Sequence, residues 1–529
     1  MLRRTDPARA TGATIVKGAA VLGIAAVLSK VLGVLQKIPL QNLAGDGAFG
    51  IYSAVYPFYV LLLFLATAGF PAAISALVAE STAAGDRLRA RRILFWSSVM
   101  TTGTGCFCFA LMFAGADRIA LWIGHPGTAE AIRSVSFALL FVPVMAAMRG
   151  YFQGLQDMVP TAVSQVAEQS IRVGTMAALL LYGMAAGFSD ERIAAGAMFG
   201  SVTGGAAGLL VMGYYWRRHV AADRKPGRST EPPIGRERTG PLVRRILTIA
   251  VPVCIGSVAV PIFGMIDTFT IPRALLAAGG DEAEIMARFG VYSRGLPLVQ
   301  LAAMVAGAVA AALIPALTES RRRNDIAAVR ARSEMAVRLA WLFGLAASVG
   351  LAMLAGPVNV MLYEDRSGTV ALAVISFTAV FSALYQVTAA LLQGLGKFAA
   401  PALHMLLAAA LKTALNLALI PRWGINGAAA AAVAAYAAAA MLNTAAVLKH
   451  AGIRPDRRTY LLTPAVSLAV MAAGVFAARQ AVPAAVSLAW PGVPERAVQT
   501  CTSLSGIITG ALLYTAALAR RRAVREQEW

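Results

Sequence analysis

Seven ionisable residues stand inside stretches that are otherwise apolar: Lys30, Lys37, Glu168, Arg172, Asp267, Arg294 and Lys412. A charge facing lipid at the centre of a spanning helix costs roughly 2.5–3.5 kcal/mol on the insertion scale, so seven approach roughly 20 kcal/mol. A sum of that size requires them to face a water-filled cavity or one another. Five are cations and two are anions. That surplus suits an anionic substrate, and an arginine fork binds phosphate bidentately. The blander reading is that some of them neutralise helix ends or hold local carbonyls.

Their spacing gives each a provisional role. Lys30 and Lys37 are seven residues apart and share a face of the first helix. Lys30 lies deep, whereas Lys37, near the outer end, has snorkelling to the interface as its alternative. Glu168 and Arg172 are spaced i, i+4 with the acid first, the favourable order for an internal salt bridge. Asp267 falls 240 residues after Val27, one turn from Lys30 in the repeat frame described below, so the two are expected to pair across the seam between the halves. Arg294 sits in the outer half of the eighth helix and Lys412 near the middle of the eleventh. No nucleotide loop, zinc-helix motif or serine elbow accompanies them, so the reading is not an enzyme and includes no cofactor or metal. His125, His219, His404 and His450 are scattered, and Cys106, Cys108, Cys254 and Cys501 read as thiols in apolar segments.

The elements that position these charges follow from composition. The chain is 58% hydrophobic and 14% charged, with mean hydropathy +0.67. Apolar runs long enough to cross ~30 Å of hydrocarbon recur from end to end. The fold class is an all-α polytopic membrane protein. About 14 spans are expected, at 18–40, 49–79, 93–114, 132–148, 160–182 and 193–216, then 246–272, 289–317, 337–354, 369–392, 400–420 and 425–448, and finally 460–478 and 497–518. The formal charge of +21 does not imply nucleic acid, because Lys and Arg collect in alternate loops, as cytoplasmic loops do. Both termini are therefore expected in the cytoplasm. Residues 217–245, with nine basic residues against three acids, read as a basic cytoplasmic linker.

The plan is duplicated. Phe49-Gly50-Ile51-Tyr52-Ser53 followed by Pro57 returns 240 residues later as Phe289-Gly290-Val291-Tyr292-Ser293 followed by Pro297. Gln153-Gly154-Leu155 against Gln393-Gly394-Leu395 keeps that offset, and Arg172 falls opposite Lys412. Six helices per copy make the repeats parallel, and in transporters with parallel repeats the substrate path lies between them. The expected division is an N-terminal lobe 1–216, the linker 217–245, a C-terminal lobe 246–448 and a terminal helix pair 460–518. The clearest difference between copies is Ala54 against Arg294. A third periodicity, Gly196, Gly200, Gly204 and Gly208, puts one small residue per turn on one face, where another helix can approach closely.

Several runs carry a resemblance: Ser29-Lys30-Val31-Leu32-Gly33, Ile38-Pro39-Leu40, Gly50-Ile51-Tyr52, Tyr56-Pro57, the stretch from Gly69 to Ser75, and Tyr292-Ser293-Arg294-Gly295-Leu296-Pro297. The chain resembles the stage V sporulation protein B / polysaccharide biosynthesis family of the multidrug/oligosaccharidyl-lipid/polysaccharide exporter superfamily. The resemblance implies two six-helix lobes around a V-shaped cavity, alternating access, and a polyprenyl-linked sugar as substrate, in a bacterial plasma membrane. It implies that Lys30 and Arg294 match cavity arginines of the peptidoglycan flippases, with Arg172 and Lys412 deeper in the path. It also implies that the last two helices help form a groove for the lipid tail. Where the flippases carry an Arg-Asp pair, this chain has Gln36-Lys37, and its second helix has no charge. The expected partners are a lipid-linked anionic glycan and membrane lipids, with the protein a monomer. The alternative within the superfamily is an organic-cation antiporter, for which Glu168 and Asp267 are the available coupling acids. A non-transporting envelope enzyme or scaffold is a third reading, and the short outer loops offer it no catalytic loop.

Overall fold

The computed structural model describes residues 12–223, 239–453 and 456–527. Most of the expected linker falls at 224–238, outside the described residues. The described residues form helices and no strands. Two compact units, Met1–Thr268 and Phe269–Trp529, divide within one long helix.

Unit 1 contains α1 (Gly12–Leu35), α2 (Lys37–Thr67), α3 (Phe70–Ala83), α4 (Arg87–Ala114), α5 (Ala116–Ile123), α6 (Thr128–Ser136), α7 (Ala138–Gly154), α8 (Val159–Ala185), α9 (Asp190–Asp223) and most of α10 (Thr239–Ala277). Unit 2 holds the end of α10, then α11 (Glu282–Ser293), α12 (Gly295–Arg322), α13 (Ile326–Met353), α14 (Ala355–Tyr363), α15 (Thr369–Ile375), α16 (Thr378–Gly394), α17 (Ala399–Ala451), α18 (Thr463–Ala489) and α19 (Glu495–Gln527). A π-helical turn, Arg458–Leu462, leads into α18.

The duplication is visible in the helix boundaries of each unit. α4 and α13 each run 28 residues behind an aspartate cap. Asp86 accepts from the Arg89 N–H at 2.8 Å and Asp325 from the Ala328 N–H at 2.9 Å. Such caps are worth about 1 kcal/mol each. α5 and α14 both stop at a left-handed residue, Gly124 and Glu364, again 240 apart. α7 and α16 are each 17 residues long.

Ten helical segments among the described residues are long and apolar enough to cross a membrane. Two of them, Ala20–Ala83 and Ala399–Ala451, are 64 and 53 residues long. At 1.5 Å per residue each far exceeds one bilayer, and each contains a break. Gly45, at φ 79° and ψ 179°, makes the turn expected around Asn42–Gly47. Gly424, at φ 54° and ψ −137°, separates the expected eleventh and twelfth spans. Both dihedral pairs lie where a Cβ is costly and glycine is not.

The expected second helix is in fact two helices. It breaks at Ala68–Gly69, between α2 and α3, because α10 packs there. A Cβ on Gly69 would stand 1.8 Å from the Ala250 carbonyl oxygen, and the Gly69 N–H points to Cys254 Sγ at 3.1 Å. The eighth span likewise breaks, at Arg294, between α11 and α12. Short α5 and α14 fall between expected spans, too brief to register as membrane crossings.

In unit 2, α18 and α19 pack along one another and against α13 and α14. Leu354, Val358, Met471, Val475 and Tyr514 form the core of that contact. The Tyr514 hydroxyl donates to the Leu342 carbonyl at 2.9 Å, and Trp341 Nε1 donates to the Tyr460 carbonyl at 2.9 Å.

Candidate functional site

The glycine stripe positions the charges of unit 1. α8 packs on α9 so closely that a Cβ on Gly204 would lie 2.6 Å from the Glu168 carbonyl and 2.9 Å from Arg172 Cβ. At Gly200 it would lie 2.6 Å from the Arg172 carbonyl. Small residues let the two backbones approach, and the close fit fixes where Glu168 and Arg172 project.

The internal pair expected between Glu168 and Arg172 does not form. Glu168 Oε2 instead accepts from Arg149 Nη2 at 2.9 Å, while Arg149 Nε donates to Ser164 Oγ at 2.8 Å. Arg149 escaped the sequence reading because it lies just beyond the expected fourth span. No spacing rule announced the pair: α7 and α8 form a hairpin turning at 155–158, with Arg149 six residues before that turn and Glu168 ten after it. Their repeat positions, Ala389 and Ala408, are apolar, so the pair belongs to unit 1 alone.

Released from Glu168, Arg172 turns to aromatic partners. Its guanidinium lies over the Tyr56 ring, 5.3 Å from the centroid. Lys37, the first residue of α2, places its Nζ 5.5 Å from the same Tyr56 centroid. Tyr52 stacks on Tyr56 at 5.8 Å and Tyr56 leans on Tyr59 at 6.2 Å. The i, i+4, i+7 spacing of the three tyrosines lines one helix face. Each cation–π contact contributes roughly 0.5–2 kcal/mol.

Lys30 is exposed on α1 and makes no ion pair among the described residues, so the expected pairing with Asp267 is not formed. Asp267 itself is buried, 5% exposed. In unit 2, Lys412 is buried at 2% exposure on α17. One turn further on, Asn416 Nδ2 donates to Thr270 Oγ1 at 2.7 Å.

Arg294 is buried at 1% and does not face an open cavity. Its Nη1 and Nη2 donate to Asp365 Oδ1 and Oδ2 at 2.6 and 2.8 Å, a two-pronged ion pair. The guanidinium carbon lies 5.3 Å from the Tyr363 ring centroid, and the Tyr363 hydroxyl donates to the Arg294 carbonyl at 2.9 Å. That bond serves a carbonyl at the α11–α12 break. In unit 1 the equivalent Ala54 carbonyl accepts from Thr268 Oγ1 at 3.0 Å, in the part of α2 that runs on without interruption after Gly45. The partners have changed together: Ile123 and His125 stand where unit 2 has Tyr363 and Asp365. Asp365 lies in the loop between α14 and α15. Burial pushes its carboxyl up, but the Arg294 hydrogen bond and the Ser367 N–H outweigh that and hold it below the usual carboxylate value.

A second feature of unit 2 is a cavity of about 740 Å³ between α13, α18 and α19. Leu342, Ala346, Gly350, Met471 and Gly510 line it, and Arg338 stands at one end. Along α13 the lining runs from Arg338 to Leu354, about 24 Å at helical rise. A Cβ on Gly350 would meet nothing within 4 Å, so that position opens into the groove.

The fold and these sites define a multi-pass α-helical membrane protein built from duplicated helical units. The chain belongs to the polysaccharide biosynthesis protein family, whose model matches residues 15–321. Two relatives come from Bacillus subtilis (strain 168). The uncharacterized membrane protein YabM is 34% identical over 427 residues, 81% of this chain and 79% of that protein. Lipid II flippase MurJ is 30% identical over 457 residues, 83% of each. Among solved structures, lipid II flippase MurJ in an inward closed conformation matches with TM-score 0.65 at 12% identity, covering 96% of this chain and all of that one. An inward-facing multidrug resistance MATE family transporter of the MOP superfamily matches with TM-score 0.66 at 15% identity, covering 80% and 94%. Both structural matches share the fold.

Proposed function

We propose that this protein moves a polyprenyl-pyrophosphate-linked glycan precursor of the cell envelope across the plasma membrane by alternating access. The observation that carries the reading is the groove of unit 2. It is apolar over about 24 Å, room for part of a prenyl tail, and ends at a cation, Arg338, whose Nε has no hydrogen-bond partner among the described residues. An amphiphile with a long hydrocarbon and an anionic head fits that combination. Lys30, Lys37 and Arg172, cations of the membrane spans that make no ion pair among the described residues, support the same substrate class, and the flippase relative adds to it.

In this reading the lobes 1–216 and 246–448 rock about the linker 217–245, the pair 460–518 serves the tail, and the chain crosses the membrane fourteen times as a monomer with both termini in the cytoplasm. An organic-cation antiporter needs free carboxylates in the membrane as coupling sites. Glu168 is already neutralised by Arg149, which weighs against that alternative.

The test is reconstitution in liposomes with a fluorescent polyprenyl-pyrophosphate-linked sugar and an impermeant quencher. The expected result is transbilayer movement at least tenfold faster than in protein-free vesicles. A rate equal to that of empty vesicles would remove the reading.

A further inference from the structure

Three consecutive residues in the turn between α14 and α15 each hold an ion pair, and they reach in two directions. Glu364 pairs with Arg496, and Arg366 Nη2 meets Glu495 Oε1 at 2.7 Å, so both flanking residues fasten the first turn of α19. Asp365, between them, turns the other way onto Arg294 at the α11–α12 break. Arg496 Nε also donates to the Met361 carbonyl at 3.2 Å, in the last turn of α14. The two pairs to α19 are crossed, with acid and base on each side. A slip of either segment sets like charges face to face, so the pairs specify one register. The turn itself is stiff. The Ser367 N–H donates to Asp365 Oδ1 at 2.6 Å, and Asn359 Nδ2, from α14, donates to the Ser367 carbonyl at 2.7 Å. A displacement of Glu364 or Arg366 therefore reaches Asp365 without being absorbed on the way.

The first copy of the repeat has none of these charges. Its equivalent turn reads Gly124-His125-Pro126-Gly127, with no Asp, Glu, Lys or Arg, and α18 and α19 follow the second copy only. The backbone points the same way. Glu364 stands at φ 70°, where the first copy has Gly124 at φ 95°. A side chain in the left-handed region carries a conformational cost that glycine avoids, and it persists where its surroundings fix it. Stability does not account for a carboxylate at that position. The four side chains of the pairs to α19 are 46–69% exposed, and ion pairs so open to solvent contribute little. Contacts that are weak singly, specific in register and quickly broken suit a fastening that opens.

We propose that residues 364–366 form an ionic latch that couples the first turn of α19 to Arg294. While Glu364 and Arg366 hold α19, the turn stays in place and Asp365 keeps both oxygens on the buried guanidinium. When the first turn of α19 swings away, the turn loses two fastenings and the hold on Arg294 loosens with them. α19 lines the apolar groove through Gly506 and Gly510, so a change in what fills the groove is passed to Arg294 through this turn. The latch goes beyond the transport reading, because the coupling belongs to unit 2 with no substrate present.

The experiment is amide hydrogen exchange, read by mass spectrometry, on the full-length protein in detergent without ligand. It compares wild type with a Glu495→Gln, Arg496→Gln double variant, which leaves the turn and Arg294 unaltered. Local opening shows as faster exchange in the segments that open. Residues 495–503 and residues 289–296 are both expected to exchange at least threefold faster in the variant. Wild type in 1 M salt, where the Debye length is about 3 Å, should shift in the same direction. Arg366→Glu alone should loosen both segments, and Arg366→Glu combined with Glu495→Arg should restore the protection of both. Size-exclusion profiles and thermal unfolding check that the variants fold. Faster exchange at 495–503 with 289–296 unchanged overturns the coupling, as does no change in either segment. Exchange that rises equally in α4 and α7 is general loosening and overturns it too. If both segments loosen together while reconstituted transport fails, the latch stands and the transport reading falls.

Discussion

Replacing Asp365 with asparagine is expected to destabilise the protein by about 2 kcal/mol, because it leaves the Arg294 guanidinium buried without its counter-charge. Breaking a fully buried ion pair costs about 3–5 kcal/mol. The Asp365 side chain is 46% exposed, so solvent screens part of the interaction and the lower figure applies. For a unit of this size that is roughly 4–8 °C in the midpoint of thermal unfolding. Arg294→Met should cost a similar amount, and the double variant should cost less than the sum, since both charges leave together. Strict additivity in that cycle would contradict the pairing. The folded carboxyl titrates below its unfolded value, so its stabilisation is complete above about pH 4 and fades as pH falls through the lower, folded pKa. The difference between wild type and Asp365→Asn should therefore be the same at pH 7 and pH 5, and should shrink only below about pH 4. This matters for function. An arginine that is clamped at neutral pH meets a substrate phosphate only if Asp365 lets go, so loss of transport in Arg294→Ala has to be read beside its stability.

Gly350→Leu is expected to abolish most of the tail-dependent movement while leaving the fold intact. The position sits on α13, lines the groove of unit 2, and has open space where its Cβ would be. Leucine there extends into the cavity without meeting a neighbour and removes a helix-interior glycine, a gain of roughly 0.8–1 kcal/mol in propensity. Stability should hold or rise as transport of a long-chain substrate falls tenfold or more. A short-chain prenyl analogue should be less affected, because it does not need the full groove. Unchanged long-chain transport in a well-folded Gly350→Leu protein would show that the groove does not hold the tail.

What the sequence made legible was whatever depends on local pattern or on the repeat. The apolar runs set the class. The 240-residue offset foretold paired elements, and α4 with α13, and α7 with α16, match in length. Gly45 marked a turn because only glycine tolerates its dihedrals, and the stripe from Gly196 to Gly208 marked the surface on which α8 rests. The misses were tertiary. Gly69 looked like one residue in a long helix, and the reason it breaks that helix is the Ala250 carbonyl, 181 positions away. Glu168 had a good local partner in Arg172 at i+4 and took Arg149 across a helical hairpin instead, where Ser164 completes the bonding. Arg294 met Asp365 through a loop 71 residues on, a contact that no spacing rule announces. The charges were found in the sequence; their partners were not, because ion-pair choice is decided by which helices touch.

The central claim is that the protein holds a polyprenyl-linked anionic glycan. Native mass spectrometry of the full-length protein, purified in mild detergent from a bacterial membrane, measures this directly. The account predicts a retained species with the mass of a polyprenyl-pyrophosphate-linked sugar, diminished in Gly350→Leu. Spectra showing only bulk phospholipid on wild type, or an organic cation in place of the lipid-linked sugar, would contradict it.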